Sequence, residues 1–504
     1  MRVTGRVFLL LVLALSVFLL FVAFDLKPEP GDEGILTMDA WRISGGEVPH
    51  RDFSQFIPPL AAYIQALFFK LLGPSVFSVR LLGLIYGLLL LSLSYYIHGK
   101  FITEPLIMAL SISFVVIFGV SSWEFGSHHW LCGILQLSAL AVLLGAQGKK
   151  SLPLSLAGGA LLGMAVFALQ DQGGYAVAGL ALVSFFSPRE ERRYFLIPAA
   201  AAVATFSLLS LPFALAAGPV QLYRDWILFP LFYYKLSHGN QVFLSGVAGK
   251  FLSVWDMTMI RQAPDFVIGY ALGSSFILLM PVLAPLSLFV AWKKRLLPTR
   301  EFLLVTVFVA AFLLTSFHRF ALSNLLWAFF ALFPLHLLLD RLMKSGNKRA
   351  RIAAAAFSML VIASCLAYGV SKARFCLDRD RIFTVTGAAG TYRMLDPGSA
   401  ASMRELLEVI DRNVKQDEPL FCAGYIPLVN FLSARKNPTR LNFVYFGGYY
   451  SREQVMTWSE TLERKKVPWG VSARETINES NAGVLIPGYR MAFANDRYIL
   501  WKRK

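Results

Sequence analysis

Long apolar runs separated by short basic clusters fill most of the chain up to residue 370. An apolar stretch of about 17–25 residues can cross a bilayer as a helix. Clear runs of this kind occupy residues 7–24, 80–97, 105–121, 130–147, 154–170, 195–217, 266–292, 302–317, 321–339 and 352–370. A shorter run, 175–187, lies between Gly173-Gly174 and Ser187-Pro188. It counts as an eleventh span because the charges on either side require one. The run 59–72 is short and contains Lys70, so it predicts a helix lying along the membrane surface. After residue 370 the pattern becomes mixed. Ser402–Val414 predicts an amphipathic helix, and Ser451-Arg452-Glu453-Gln454 a capping box opening a helix to about Lys465. Pro419–Ala423, Val467–Val471, Gly483–Pro487 and Tyr498–Trp501 read as short strands. The expected fold class is a polytopic α-helical membrane protein with about eleven transmembrane helices over 1–370, followed by an α/β domain over 371–504.

Composition agrees with this division. The 504 residues are 56% hydrophobic and 16% charged, against about 45–50% and about 25% in soluble domains. Residues 1–370 hold 27 Lys/Arg and 17 Asp/Glu, and residues 371–504 hold 21 and 14. The net charge of +17 follows from topology rather than from nucleic-acid binding. With the N-terminus in the cytoplasm, the inside loops 1–6, 98–104, 148–153, 188–194, 293–301 and 340–351 carry 17 Lys/Arg and five acids. The other ten Lys/Arg of that part stand beside twelve acids. This is the positive-inside distribution, and it places residues 371–504 outside the cytoplasm. The first span is read as retained, because its apolar stretch is too long for a signal peptide and no small-x-small site precedes Asp25. Of the four cysteines, Cys132 and Cys365 fall in spans; Cys376 and Cys422 fall in the outer domain, where a disulfide is chemically allowed.

The first outer loop, 25–79, carries the most polar stretch of the membrane part. Residues 25–58 hold seven acids and three bases. Asp32-Glu33 follows Pro28, Pro30 and Gly31, a rigid turn that opens a helix. Ile35, Met38 and Trp41 recur at helical spacing, and Gly45-Gly46 ends the helix. The acids of such a loop can serve merely to solvate it. Held between prolines at the bilayer surface, they can equally serve chemistry.

Gly31-Asp32-Glu33-Gly34, Ala40-Trp41-Arg42, Gly46-Glu47-Val48-Pro49, Arg51-Asp52-Phe53 and Pro58-Pro59-Leu60 resemble the first outer loop of polytopic glycosyltransferases that use polyprenyl-phosphate sugars. Gly73-Pro74-Ser75 with Arg80-Leu81 continues the pattern, and Phe431–Thr439 resembles a segment common in bacterial members. The likeness is to bacterial members of glycosyltransferase family 39, which includes protein O-mannosyltransferases, the lipid A aminoarabinose transferase and rhizobial core galacturonosyltransferases. The resemblance implies a GT-C-like fold and transfer of a hexosyl or pentosyl unit to a lipopolysaccharide, glycan or protein acceptor of the envelope. It implies a bacterial inner-membrane enzyme working on the extracytoplasmic face. The partners implied are the polyprenyl-phosphate sugar, membrane lipid and that acceptor. It makes Asp32 the catalytic base, with Glu33 beside it, and direct displacement would invert the anomeric carbon. The displacement needs no metal, since cationic side chains can balance phosphate, although it leaves room for a divalent ion.

Further candidates for substrate contact are Arg51 and Asp52 in the first loop, and Glu124, His128 and His129 at the start of the fourth span. The family often places a second acid there; paired histidines stand in this sequence instead. Adjacent histidines point in different directions on a helix, which makes them a weak metal pair. Gln170 joins the fifth and sixth spans where relatives often carry Lys-Gln. Arg261 and Arg319 are the cations best suited to gripping a lipid phosphate. The outer domain carries no nucleophile motif, glycine-rich phosphate loop or zinc spacing. A transporter or flippase of a lipid-linked glycan is the alternative, but such proteins place ionisable groups at mid-membrane and show internal repeats. Here the acids gather at the outer surface.

Overall fold

The computed structural model describes residues 2–22, 31–113, 115, 117, 125–233, 272, 274–316, 325, 327–378, 382–394, 396–444, 452–478 and 480–504. Its first part is a helical bundle: α1 (Arg2–Val22), α2 (Asp32–Ser44), α3 (Leu60–Leu72), α4 (Val76–Phe101), α5 (Pro105–Ile112), α6 (His128–Lys149), α7 (Leu152–Ala168), α8 (Gln170–Phe186) and α9 (Arg189–Ala217). After α9 come a short helix Pro219–Tyr223, a π-helix Arg224–Tyr233, and helices Met280–Lys293, Thr299–Thr315, Phe333–Met343 and Lys348–Leu377. A 3-10 turn, Phe329–Leu332, precedes the helix that starts at Phe333. The last helix runs through residue 370 to Leu377.

Local chemistry explains the starts. Ser75 caps α4 by accepting from the Ser78 amide at 3.2 Å, Ser127 caps α6 from the Trp130 amide at 3.3 Å, and Asn347 caps the last helix from two amides. Pro105 opens α5 with its fixed φ. Five helices among the described residues are long and apolar enough to cross a membrane: α1 over Gly5–Val22, α4, α6, α9 and Lys348–Arg374. Burial sorts them. The apolar windows of α4 and α6 are 61% and 67% buried, so these helices form the centre; that of α9 is 17% buried and turns outward. Leu208, Leu211 and Leu215 on α9, with Phe185 and Phe186 on α8, are exposed, as lipid-facing side chains of a multi-pass membrane protein are. The short helix α3 lies where the surface helix 59–72 is expected and pairs with α2; Gln65 donates to the Thr37 hydroxyl at 3.2 Å.

Residues 382–504 build a two-stranded hairpin and a four-stranded sheet. In the hairpin β1 (Phe383–Gly387) pairs antiparallel with β2 (Gly390–Met394). The sheet has the order β3 (Leu420–Ala423), β4 (Trp469–Ala473), β6 (Tyr498–Arg503), β5 (Tyr489–Ala494). The β3–β4 pair is parallel; the other two pairs are antiparallel, with a bulge between Met491 and Phe493. Helices Pro397–Asn413, Leu428–Ser433 and Arg452–Arg464 pack around it. Ser451, expected as a cap, lies outside the described residues. Where Gly483–Pro487 is expected to be a strand, a helix Ala482–Leu485 forms instead. The Asn481 side chain accepts from the Asn478 amide at 2.9 Å, and this turn chemistry starts a helical turn that Pro487 stops. Cys376 and Cys422 are separate buried thiols.

This C-terminal unit sits directly on the start of the bundle. The Val76 amide donates to Ala389 at 2.9 Å, Arg393 donates to the Val22 carbonyl at 2.8 Å, and Phe431 stacks on Phe69 at 5.5 Å. One continuous core runs from the membrane helices into the hairpin and the inner side of the sheet. A smaller core around Phe421, Trp458, Leu462 and Trp501 closes the far side.

Candidate active site

Asp32 and Glu33 form the first turn of α2, after the N-cap residue Gly31. The unsatisfied amides of a helix N-terminus favour negative charge there. The two side chains then part. Glu33 turns into the protein and pairs with Arg80 of α4 at 2.9 Å, both side chains almost fully buried. Asp32 is half-buried and accepts a hydrogen bond from the Tyr425 hydroxyl. The flanking glycines are what let the C-terminal unit come this close. A Cβ on Gly31 would lie 1.8 Å from the Tyr425 ring, and one on Gly34 2.7 Å from the Leu428 amide nitrogen.

Asp32 opens into a cleft of about 60 Å³ whose other polar walls include Asp39, Ser54, His128 and Asn442. Ile35, Ile57, Pro58 and Ala61 make its apolar side. Asp39 lies two turns after Asp32 on α2 and is buried. Burial pushes its carboxyl well above the usual carboxylate range, against the opposing pull of the Arg42 charge and the Asn442 hydrogen bond.

The Phe431–Thr439 segment holds this arrangement. Asn430 donates to the carbonyls of Leu420 and Arg435 at 2.7 and 2.9 Å, and Asn437 to those of Leu441 and Asn442 at 3.1 and 3.0 Å. The curled chain presents the Thr439 carbonyl and the Asn442 Oδ1 to Arg42, each at 2.9 Å. Arg42 also pairs with Glu47 at 2.6 Å and lies over the Phe53 ring at 4.7 Å. A planar guanidinium with donors on several edges suits such a junction.

A second junction ties the loop to the π-helix. His50 is buried with φ +67°, and its Nδ1 lies 2.8 Å from Asp225 Oδ2. The Trp226 indole nitrogen lies 3.1 Å from His50 Nε2. An indole N–H can only donate, so Nε2 accepts and Nδ1–H donates to Asp225. His50 is therefore neutral, in one tautomer. Gln221 donates to the other Asp225 oxygen at 2.9 Å. Gln170 adds a third tie, donating to the Phe56 carbonyl at 2.9 Å and toward that of Trp226 at 3.4 Å.

The sequence candidates thus separate. Asp32 and His128 share the cleft. His129 instead stacks on Trp327, with centroids 3.4 Å apart. Arg51 and Asp52 pair with each other at 2.8 Å, and Asp52 accepts from the Val48 amide at 2.7 Å; they shape the turn and do not line the cleft. The bond from Arg51 holds the Asp52 carboxyl below its ordinary range. Glu124, Arg261 and Arg319 lie outside the described residues. Asp39, His50, Tyr425 and Asn442 were not among the candidates. Asp39 carried a signal, its two-turn spacing from Asp32; the others depend on contacts distant in sequence. Among the described residues no group of three His, Cys, Asp or Glu side chains converges as a metal site would need.

No family model and no curated protein matches the chain. Solved structures do. The chain is similar to ArnT from Cupriavidus metallidurans bound to undecaprenyl phosphate, with TM-score 0.59, 14% identity, and coverage of 98% of this chain and 97% of that one. Its likeness to the apo state of the same protein has TM-score 0.62 at 14% identity, covering 99% and 98%. The oligosaccharyltransferase of Archaeoglobus fulgidus, in complex with zinc and sulfate, matches with TM-score 0.55 at 14% identity, over 95% of this chain and 71% of that one. The chain has the GT-C fold that its first loop leads one to expect.

Proposed function

We propose that this protein transfers a sugar from a polyprenyl-phosphate donor to an acceptor of the bacterial envelope, on the extracytoplasmic side of the inner membrane. One observation carries the reading. A half-buried carboxylate, Asp32, stands at a helix N-terminus, oriented by Tyr425, over a partly apolar cleft. It does so in a fold shared end to end with a protein solved bound to undecaprenyl phosphate. The chain crosses the membrane about eleven times, with its N-terminus in the cytoplasm and residues 371–504 outside.

The chemistry is one displacement. The acceptor hydroxyl oxygen forms a bond to the anomeric carbon. The bond from that carbon to the phosphate oxygen breaks, and the phosphate leaves with the electron pair as polyprenyl phosphate. The hydroxyl proton passes to Asp32. Attack opposite the leaving group inverts the anomeric centre. A positioned base is worth about 10²–10⁴-fold, and holding donor and acceptor together supplies much of the rest. Glu33, locked to Arg80, orients the helix turn that carries Asp32. Arg261 and Arg319 hold the lipid phosphate; His128 faces the donor sugar.

Mass spectrometry of envelope glycolipids, glycans and glycoproteins tests the reading. A deletion strain is expected to lack a sugar unit that its parent carries. Indistinguishable envelopes would reject transfer.

A further inference from the structure

A larger cavity, of about 560 Å³, lies beyond Ser54, between the π-helix Arg224–Tyr233 and helix Arg452–Arg464. Its size falls in the range of small-molecule sites, roughly 300–1,000 Å³. Ser54 lines both this cavity and the Asp32 cleft. Two arginines, Arg224 and Arg440, and two acids, Asp225 and Glu453, face it. Three threonines and two glutamines complete the polar wall, and Trp458 forms part of the floor.

We propose that this cavity binds the saccharide end of the acceptor, an uncharged hydroxyl-rich sugar, and presents its hydroxyl to Asp32 past Ser54. The inference rests on the transferase reading and narrows its acceptor. Among the described residues, cations and acids balance in the wall. A phosphate or carboxylate ligand calls for an excess of cationic donors, above all bidentate arginine. A lipid tail calls for walls that are apolar throughout, whereas here Leu228, Phe229 and Leu441 share the lining with polar side chains. Interleaved donors and acceptors beside an aromatic ring suit a neutral polyol, which both gives and takes hydrogen bonds. The buried indole N–H of Trp458 has no acceptor among the described residues.

The wall is also pre-set. Asp225 is fixed by His50 and Gln221, and Arg440 donates to the His50 carbonyl at 2.7 Å. The Ser54 amide donates to the Arg440 carbonyl at 2.8 Å, which holds the junction between the two hollows. A rigid polar site costs little ordering on binding. The more apolar cleft is then left to the donor.

The test fills the cavity. Thr457 faces it from helix Arg452–Arg464, whereas the exposed Met456 on that helix does not. Thr457→Trp and Met456→Trp are each expressed in the deletion strain as full chains, at matched membrane levels. Envelope modification is read by mass spectrometry, and undecaprenyl phosphate binding is measured on the purified proteins in detergent. Thr457→Trp is expected to lower modification at least tenfold while undecaprenyl phosphate binds as to the parent protein. Met456→Trp should restore modification fully. Fragment spectra should place the transferred unit on a hydroxyl of an uncharged sugar. Parental modification by Thr457→Trp, or loss of undecaprenyl phosphate binding in it, would overturn the assignment. So would attachment to a phosphate, a uronate or a protein side chain. If the deletion strain and its parent carry identical envelopes, the transferase reading itself fails and the acceptor site falls with it.

Discussion

Tyr425 donates a hydrogen bond from its hydroxyl to Asp32, 393 residues earlier in the chain, and so ties the C-terminal sheet to the first turn of α2. A hydrogen bond to a charged group contributes about 1.5–3 kcal/mol. Tyr425→Phe removes it while keeping the ring. Turnover per folded molecule is expected to fall roughly tenfold to hundredfold, and the thermal midpoint in detergent to drop with the lost bond. Unaltered turnover would mean that Tyr425 does not orient Asp32.

Gly31 serves the same contact through space. Its missing Cβ leaves room for the Tyr425 ring, which a methyl would meet at 1.8 Å. Gly31→Ala is expected to cost at least as much turnover as Tyr425→Phe. Combining it with Tyr425→Ala should restore the stability that Gly31→Ala loses, a non-additive pair. Strictly additive unfolding midpoints across the four proteins would show that the clash is not the cause.

Glu33 and Arg80 should behave as an architectural pair. Removing one partner of a buried ion pair typically costs about 3–5 kcal/mol, because the other charge is left uncompensated. Glu33→Gln is expected to lower the thermal midpoint strongly, yet to keep most turnover per folded molecule. A variant that folds like the parent and turns over nothing would place Glu33 in the chemistry instead.

Asp39 gives the pH signature. Its carboxyl is raised by burial, so the folded state holds this proton more tightly than the unfolded chain does. Its contribution to stability is therefore complete below the ordinary carboxylate range and is lost as pH rises through the elevated value. Asp39→Asn stays neutral at every pH and should remove this component. The measurement is the thermal midpoint against pH for both proteins. Identical slopes would show that Asp39 does not titrate in this way.

The membrane helices were legible because burial in lipid demands long apolar runs, and short basic clusters punctuate them. The Gly31–Gly34 motif was legible as a candidate site, yet its internal division was not. Nothing local separates an acid that meets Arg80 from one that meets Tyr425. The Phe431–Thr439 segment stood out only by resemblance. Its physical role, curling so that Asn442 reaches Asp39 and Arg42, depends on residues some 400 positions apart. Gly483–Pro487 misled because a short apolar run carries no period, and the Asn478–Asn481 turn decided its form. His128 and His129 were inseparable on paper; the helix sends one to the cleft and the other to Trp327.

The base assignment is tested most directly by Asp32→Asn, which keeps the side chain's shape and removes its ability to take a proton. The variant is expressed in the deletion strain at the parental membrane level, and the envelope sugar is quantified by mass spectrometry. The expected result is a loss approaching that of the deletion itself, from a protein with an unchanged thermal midpoint. Full restoration of the sugar by Asp32→Asn would contradict it.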